Sequence, residues 1–394
     1  MRFIIIDSDY PGFLKSFYSQ HPALENQCYE QQARTRAKSC FGQADFYSEN
    51  LRKIGHEAWT IHHNNFFLQH AWAREHGLKA GGEWGWEFRL RRGVMPWFSR
   101  IKDPWVYEIM AQQIKQFKPD VVVNYDMHLK ASFFREVKPY IRLLIGNHAA
   151  PLPGERDFSV YDLVLSIVDN FVDYFRKQGV QSELLRLGFE PRVLQEIGES
   201  RRAIPVLFSG NLHPAHASRI KWLEHICQTV PVEVRAPLPV KLLPGSPIHG
   251  CLRDPAWGVE MYQTLRDALM TLNHHIDVAE AYAGNVRLFE ATGVGTLLIT
   301  DWKKNLHEMF EPGKEVVAYR TPEECLEMIQ YYLNHENERQ AIASAGQRRT
   351  LRDHTYRQRM EQLASIAKKY LRTTHSAYER PKTNLQSTNA GLSN

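Results

Sequence analysis

Two rhythms of apolar and polar positions alternate along this chain. Short, nearly continuous apolar runs recur, separated by segments whose apolar positions fall three and four apart. The first pattern predicts strands buried on both faces, the second predicts helices. Phe3–Ile6, His56–Ile61, Asp120–Asn124 (DVVVN), Ile141–Ile145, Asp162–Val168 and Ser182–Leu187 read as strands, with helices at Gln31–Ile54, Val106–Phe117 and Phe171–Gln178. A polar segment, Glu196–Ala203, follows Pro191 and reads as a linker. A second series then begins. Pro205–Phe208, Val232–Arg235, Met270–Asn273 and Thr296–Thr300 are its strands, with helices ending near Cys227 and around Trp257–Leu265. Strand–helix alternation of this kind predicts an α/β fold with parallel sheets covered on both faces. The expected division is a first domain over residues 1–197 and a second over 203–371, with the polar tail 372–394 structureless.

Thr321-Pro322-Glu323-Glu324 is a helix start, with a capping threonine and proline in the first turn. The segment from Trp72 to Trp105 breaks the rhythm. Five of the nine tryptophans fall there, beside Gly81–Gly82 and Arg89, Arg91 and Arg92. It reads either as an acceptor flap or membrane-surface patch, or as aromatics anchoring an irregular excursion.

Composition narrows the class only a little. At 394 residues, 43% hydrophobic and 24% charged, the chain is an ordinary globular protein large enough for two domains. A formal net charge of +5 is too mild to imply nucleic acid as a partner. No apolar run is long enough for a transmembrane helix, and MRFIIIDSDY reads as a first strand, not as a signal peptide. The five cysteines are scattered without a C-x-x-C pair, which points to a reducing, cytoplasmic setting and away from zinc or a disulfide framework.

The chemistry is concentrated in Ala281–Asp301 (AYAGNVRLFEATGVGTLLITD), read as turn, helix and buried strand. Gly284, Asn285 and Val286 open the helix, where free N–H groups and the dipole favour an anion such as a diphosphate. Glu290 lies one turn further on, within reach of ribose hydroxyls. The alternative is a solvated carboxylate between ordinary turn glycines. Upstream, Gly210 and Asn211 follow a strand, and Arg219 is a candidate bidentate phosphate donor. Asp7, Asp126 and His148 stand at the carboxyl ends of first-domain strands, where ligands of parallel sheets bind; each also reads as a cap or hydrogen-bonded loop residue. His274, His275 and Asp277 look like metal ligands, but adjacent histidines of an extended segment face opposite ways. A single imidazole, His275, meeting a phosphate or sugar hydroxyl fits better.

Several of these stretches resemble the spore-maturation CgeB-like family of glycosyltransferases. They are Leu187-Gly188-Phe189-Glu190-Pro191, Phe208-Ser209-Gly210-Asn211-Leu212 with Arg219, and Leu272-Asn273 with His275-Ile276-Asp277. Tyr282-Ala283-Gly284-Asn285 with Arg287-Leu288-Phe289-Glu290-Ala291, and His354-Thr355-Tyr356 with Arg359, belong to the same set, as does the loop Gly146–Pro153. The resemblance implies a GT-B fold: two Rossmann-like domains with parallel sheets facing each other across a cleft. It also implies a nucleotide-sugar donor held by the second domain. Glu290 would hold ribose, Gly284–Val286 the diphosphate, Arg219 would neutralise phosphate, and Trp257–Gly258 would lie by the base. Arg287 would stabilise the leaving group or pair with Glu290. No metal or other cofactor is expected.

Related retaining enzymes carry a second glutamate eight residues before the ribose one, where this chain has Tyr282; Glu280, Asp277 and His275 are the substitutes at hand. An inverting enzyme instead needs a base from the first domain, with His148 the first candidate and Asp126 or Asp7 the next. The expected acceptor is a glycan, a glycolipid or another surface-polysaccharide component. Arg89–Arg92 and the neighbouring tryptophans are the candidates for peripheral contact with the inner face of a membrane. Two other readings stay open: a nucleotide-sugar epimerase of the same architecture, and a non-catalytic nucleotide- or sugar-binding partner.

Overall fold

The computed structural model describes residues 1–82, 84–91, 95–148, 157–213, 216–237 and 242–378, with backbone alone for 84–91, 95–102 and 373–378. The first sheet contains β1 (Arg2–Asp7), β2 (Glu57–His62), β5 (Val121–Asn124), β6 (Leu143–Asn147), β7 (Leu163–Ser166) and β8 (Ser182–Leu184). Its strand order is β2-β1-β5-β6-β7-β8, parallel throughout. The second contains β9 (Ile204–Ser209), β10 (Glu233–Arg235), β11 (Leu252–Arg253), β12 (Ala268–Asn273), β13 (Leu297–Asp301) and β14 (Val317–Tyr319). Its order, β11-β10-β9-β12-β13-β14, is again all parallel.

The central strands are apolar on both faces because helices cover both. Val121–Asn124 and Leu297–Asp301 are buried at every position. Helix boundaries follow local chemistry. Thr321 accepts a hydrogen bond from the Glu324 N–H and Pro322 fills the first turn. Asn65 caps Phe66–Glu75 in the same way, through the Leu68 N–H.

The tryptophan-rich stretch contains a two-stranded antiparallel hairpin, β3 (Trp84–Arg91) and β4 (Met95–Lys102), which the sequence pattern did not suggest. Trp72 and Trp105 flank it and are buried, consistent with aromatics anchoring the excursion. The side chains of Arg89, Arg91 and the hairpin tryptophans, Arg92, and the Ala149–Pro153 part of the Gly146–Pro153 loop lie outside what the structure describes.

The two halves share a core. One apolar cluster joins Phe3, Val121 and Leu143 of the first sheet to Leu207, Leu288 and Leu298 of the second half. The last helix, Tyr356–Tyr378, starts from the second domain and returns to the first. Tyr356 packs on Phe46 and Tyr47, with ring centroids 5.3 Å apart in each pair, and Arg359 Nε donates to the Leu187 carbonyl at 2.8 Å. This helix runs to Tyr378, so residues 372–378 of the tail expected to be structureless are helical, and the rest of that tail lies outside the described residues.

Candidate functional site

At the carboxyl ends of β9 and β10, the second domain opens a cavity of about 250 Å³ that the first domain closes from the other side. Ser209, Gly210 and Asn211 come from the turn after β9, and Arg235 ends β10. Val286, Arg287 and Glu290 come from the start of the helix Arg287–Gly293. Tyr10 and Phe41 of the first domain meet Trp257 of the second as an aromatic wall. Phe41 and Trp257 are edge-on at 5.2 Å, and Tyr10 and Trp257 lie 6.2 Å apart.

The polar floor is buried. Arg287 Nη1 lies 3.0 Å from Glu290 Oε2, with side-chain exposures of 12% and 7%. Arg287 Nη2 donates to Ser209 Oγ at 3.3 Å, and Tyr262 Oη reaches Glu290 Oε1 at 3.4 Å. Arg287 Nε has no hydrogen-bond partner, and the contact to Glu290 Oε2 lacks hydrogen-bond alignment, so both groups keep capacity for a ligand.

Several expected donor residues are held by contacts within the protein. Gly284 is needed for domain contact: a Cβ there would stand 2.7 Å from Val168 Cγ1 and 2.8 Å from the Ile167 carbonyl oxygen. Gly258 has φ of +55°, and a Cβ would fall 2.0 Å from the Ser39 oxygen, which accepts from the Val259 N–H at 2.9 Å. Asn285 donates to Asn273 Oδ1 at 2.6 Å. Arg219 is spent on backbone carbonyls, with Nε and Nη2 on His274 at 3.0 and 2.7 Å and Nη1 on Asn211 at 3.0 Å. It braces two loops and lines no part of the cavity, so Arg287 and Arg235 are the cations that line this space, and Arg235 is paired with Glu233.

The first domain brings a second constellation to its strand ends. His63 Nε2 pairs with Asp126 Oδ2 at 2.7 Å, and the His63 N–H donates to the Asp7 carbonyl at 3.2 Å. Burial opposes ionisation of Asp126, but the His63 hydrogen bond and charge outweigh it and hold the carboxyl below its usual range. Asp7 is pushed up to about 6, by burial first and by Asp9 next. Asp9 itself is kept ionised against burial by Arg36, its buried ion-pair partner. His148, the first candidate base, is instead 4% exposed and edge-on to Phe171 and Phe175 at 5.2 and 5.9 Å. His63 was missed by sequence reading. Directly after β2, it stands at a strand end as Asp7 and Asp126 do, which is the signal that could have found it.

His274 and His275 part as the extended backbone requires. His274 Nδ1 is 3.0 Å from Tyr319 Oη, and His275 Nδ1 is 2.6 Å from Asp301 Oδ1. Asp277 is exposed and takes a hydrogen bond from Ser218. Tyr282, in the position of the retaining enzymes' second glutamate, lies under Lys304, whose Nζ is 3.8 Å from the ring centroid.

Comparison with known proteins agrees with this architecture. Residues 234–365 match the model of a glycosyl transferase-like family. A sequence search of curated proteins gives no significant match. Among solved structures, Anabaena HepE in complex with UDP-glucose superposes with a TM-score of 0.57 at 10% identity, over 94% of this chain and 100% of that one. Sucrose-phosphate synthase from Thermosynechococcus elongatus gives 0.55 at 10% identity, over 95% and 100%. The pneumococcal O-GlcNAc transferase GtfA in complex with UDP and GlcNAc gives 0.52 at 10% identity, over 94% and 99%. The fold is therefore GT-B, as the two six-stranded parallel sheets imply. Among the described residues no helix is long and apolar enough to cross a membrane.

Proposed function

We propose that this chain is an inverting glycosyltransferase of the CgeB-like branch, moving a sugar from a nucleotide-sugar donor to a hydroxyl of a glycan, glycolipid or other surface-polysaccharide acceptor. The observation that carries this reading is the interdomain cavity, with an aromatic wall at Trp257 and Phe41 and a buried Arg287–Glu290 floor. The wall suits a planar base and Glu290 a ribose diol. Arg287 suits the diphosphate, which gains charge as it leaves.

In the reaction the acceptor oxygen bonds to the anomeric carbon, and the carbon–oxygen bond to the diphosphate breaks with its electron pair on the leaving group. The acceptor hydroxyl proton goes to a base on the first domain. His63, oriented by Asp126, has the arrangement for that role: the carboxylate fixes one ring nitrogen and stabilises the charge gained when the other takes a proton. Tyr282 in place of a carboxylate argues against retention through that position. Arg287 supplies the positive charge at the diphosphate, so turnover is expected to persist in excess EDTA.

UDP-sugars are the first donors to test, because the HepE and GtfA structures were obtained with UDP-glucose or with UDP and GlcNAc. Release of nucleoside diphosphate from a panel of nucleotide sugars is the direct assay. The expected result is release from at least one donor, with Arg287→Ala lowering kcat/KM by roughly a hundredfold. Equal activity in wild type and Arg287→Ala would overturn the assignment of that cavity.

A further inference from the structure

A second cavity, of about 480 Å³, opens beside the carboxyl ends of β12, β13 and β14. Its described lining comes wholly from the second domain and shares no residue with the first cavity. Its volume lies within the range of small-molecule sites, roughly 300–1,000 Å³. Nothing in the donor reading uses it.

Its wall holds a polar group that the fold leaves unsatisfied. His275 is among the residues lining this cavity; its side chain is 1% exposed, and its Nε2 is buried without a hydrogen-bond partner. Asp301 grips the other ring nitrogen at 2.6 Å and also takes the His275 N–H at 3.1 Å, so the ring cannot turn away to find another partner. In the neutral ring, with the proton on Nδ1 facing the carboxylate, Nε2 is a lone-pair acceptor that suits a hydroxyl. At the rim, Trp302 is 41% exposed, with the Arg320 guanidinium carbon 4.1 Å from its ring centroid.

The charge pattern argues against a phosphate. Lys303 is already engaged, with Nζ 3.3 Å from Asp301 Oδ2 and 2.6 Å from the Glu280 carbonyl. Asp277, Glu280 and Asp301 line the same space as Lys303 and Arg320, so there is no surplus of positive charge. An indole face, charged groups of both signs, and an imidazole nitrogen held in place by Asp301 match an uncharged polyhydroxylated ring, whose C–H face packs on the aromatic while its hydroxyls meet the polar groups.

We infer that this cavity binds an uncharged saccharide unit, with His275 Nε2 accepting from a sugar hydroxyl and Trp302 packing on the ring. The inference goes beyond the donor site and stands without it. Its test is a printed oligosaccharide array probed with the full chain in excess UDP, beside a thermal-shift measurement with UDP alone. The expected result is retention on at least one uncharged saccharide, falling at least tenfold in Trp302→Ala, an exposed position that leaves the melting curve intact. His275→Gln is expected to fall similarly; if that buried variant does not fold, Trp302→Ala decides. Wild type binding no saccharide, or binding undiminished in Trp302→Ala, overturns the inference. Selective retention of phosphorylated or sulfated saccharides overturns it as well. A UDP shift without saccharide binding sinks this site alone, and saccharide binding without a UDP shift supports this site and counts against UDP as the donor nucleotide.

Discussion

Asp7 stands where the first strand ends and the cleft begins, and its surroundings work against its charge. Burial and the neighbouring Asp9 raise its pKa to about 6 from an ordinary 3.8. The native state therefore holds a proton that the unfolded chain has lost, and stability falls as pH rises through the window from about 4 to 6. Below that window both states are protonated; above it the full cost, on the order of 3 kcal/mol, is present. Asp7→Asn is thus expected to raise Tm by several degrees at pH 8 and to leave it nearly unchanged at pH 4, as read by calorimetry at both pH values. A variant no more stable at pH 8 than wild type would contradict the assignment. His63 carries the complementary kinetic prediction. His63→Ala is expected to lower kcat by roughly a hundredfold to ten-thousandfold with KM for the donor little altered. A change confined to KM would mean that His63 binds substrate without taking the proton.

At the scale of elements, the turns between domains decide the outcome. Gly258 joins the aromatic wall to the helix that carries Tyr262, with its Cα against the Ser39 carbonyl. Gly258→Ala places a methyl 2.0 Å from the Ser39 oxygen and strains a positive φ, so a loss of roughly 2 kcal/mol or more is expected in denaturant unfolding. The same turn explains what the sequence disclosed and what it withheld. Short apolar runs such as DVVVN announced the parallel strands directly, because a strand buried on both faces has no polar period to obscure it. The roles of Gly258 and Gly284 were not legible as domain contacts, since a glycine looks alike whether it faces a phosphate or another backbone. The carbonyl contacts of Arg219 were hidden for a related reason. A guanidinium satisfies carbonyl oxygens as well as phosphate, and only the fold shows which it meets. Glu290 and Arg287 were readable because three residues of helix put them on one face.

At the scale of the whole molecule, the two sheets are held together by a shared apolar cluster and by the returning C-terminal helix. Met360, Leu363 and Ala367 of that helix are buried to 0% exposure, and Lys369 Nζ meets Glu183 of β8 at 2.7 Å. Ending the chain after Thr355 would expose those neighbours to water. At about 25 cal/mol per Å² of apolar surface, that costs several kcal/mol. The truncated chain is expected to lose its single cooperative melt or to aggregate. A sharp transition at the wild-type temperature would show that the domains do not depend on the helix.

Whether Glu290 and Arg287 floor a nucleotide site closed by both domains is read out by thermal shift against nucleoside diphosphates and nucleotide sugars. The full chain and Glu290→Ala would be compared side by side. The wild type is expected to be stabilised by at least one nucleotide, increasingly with its concentration, and the variant to lose that shift. No shift with any nucleotide at millimolar concentration, or a shift that Glu290→Ala keeps in full, would contradict this assignment.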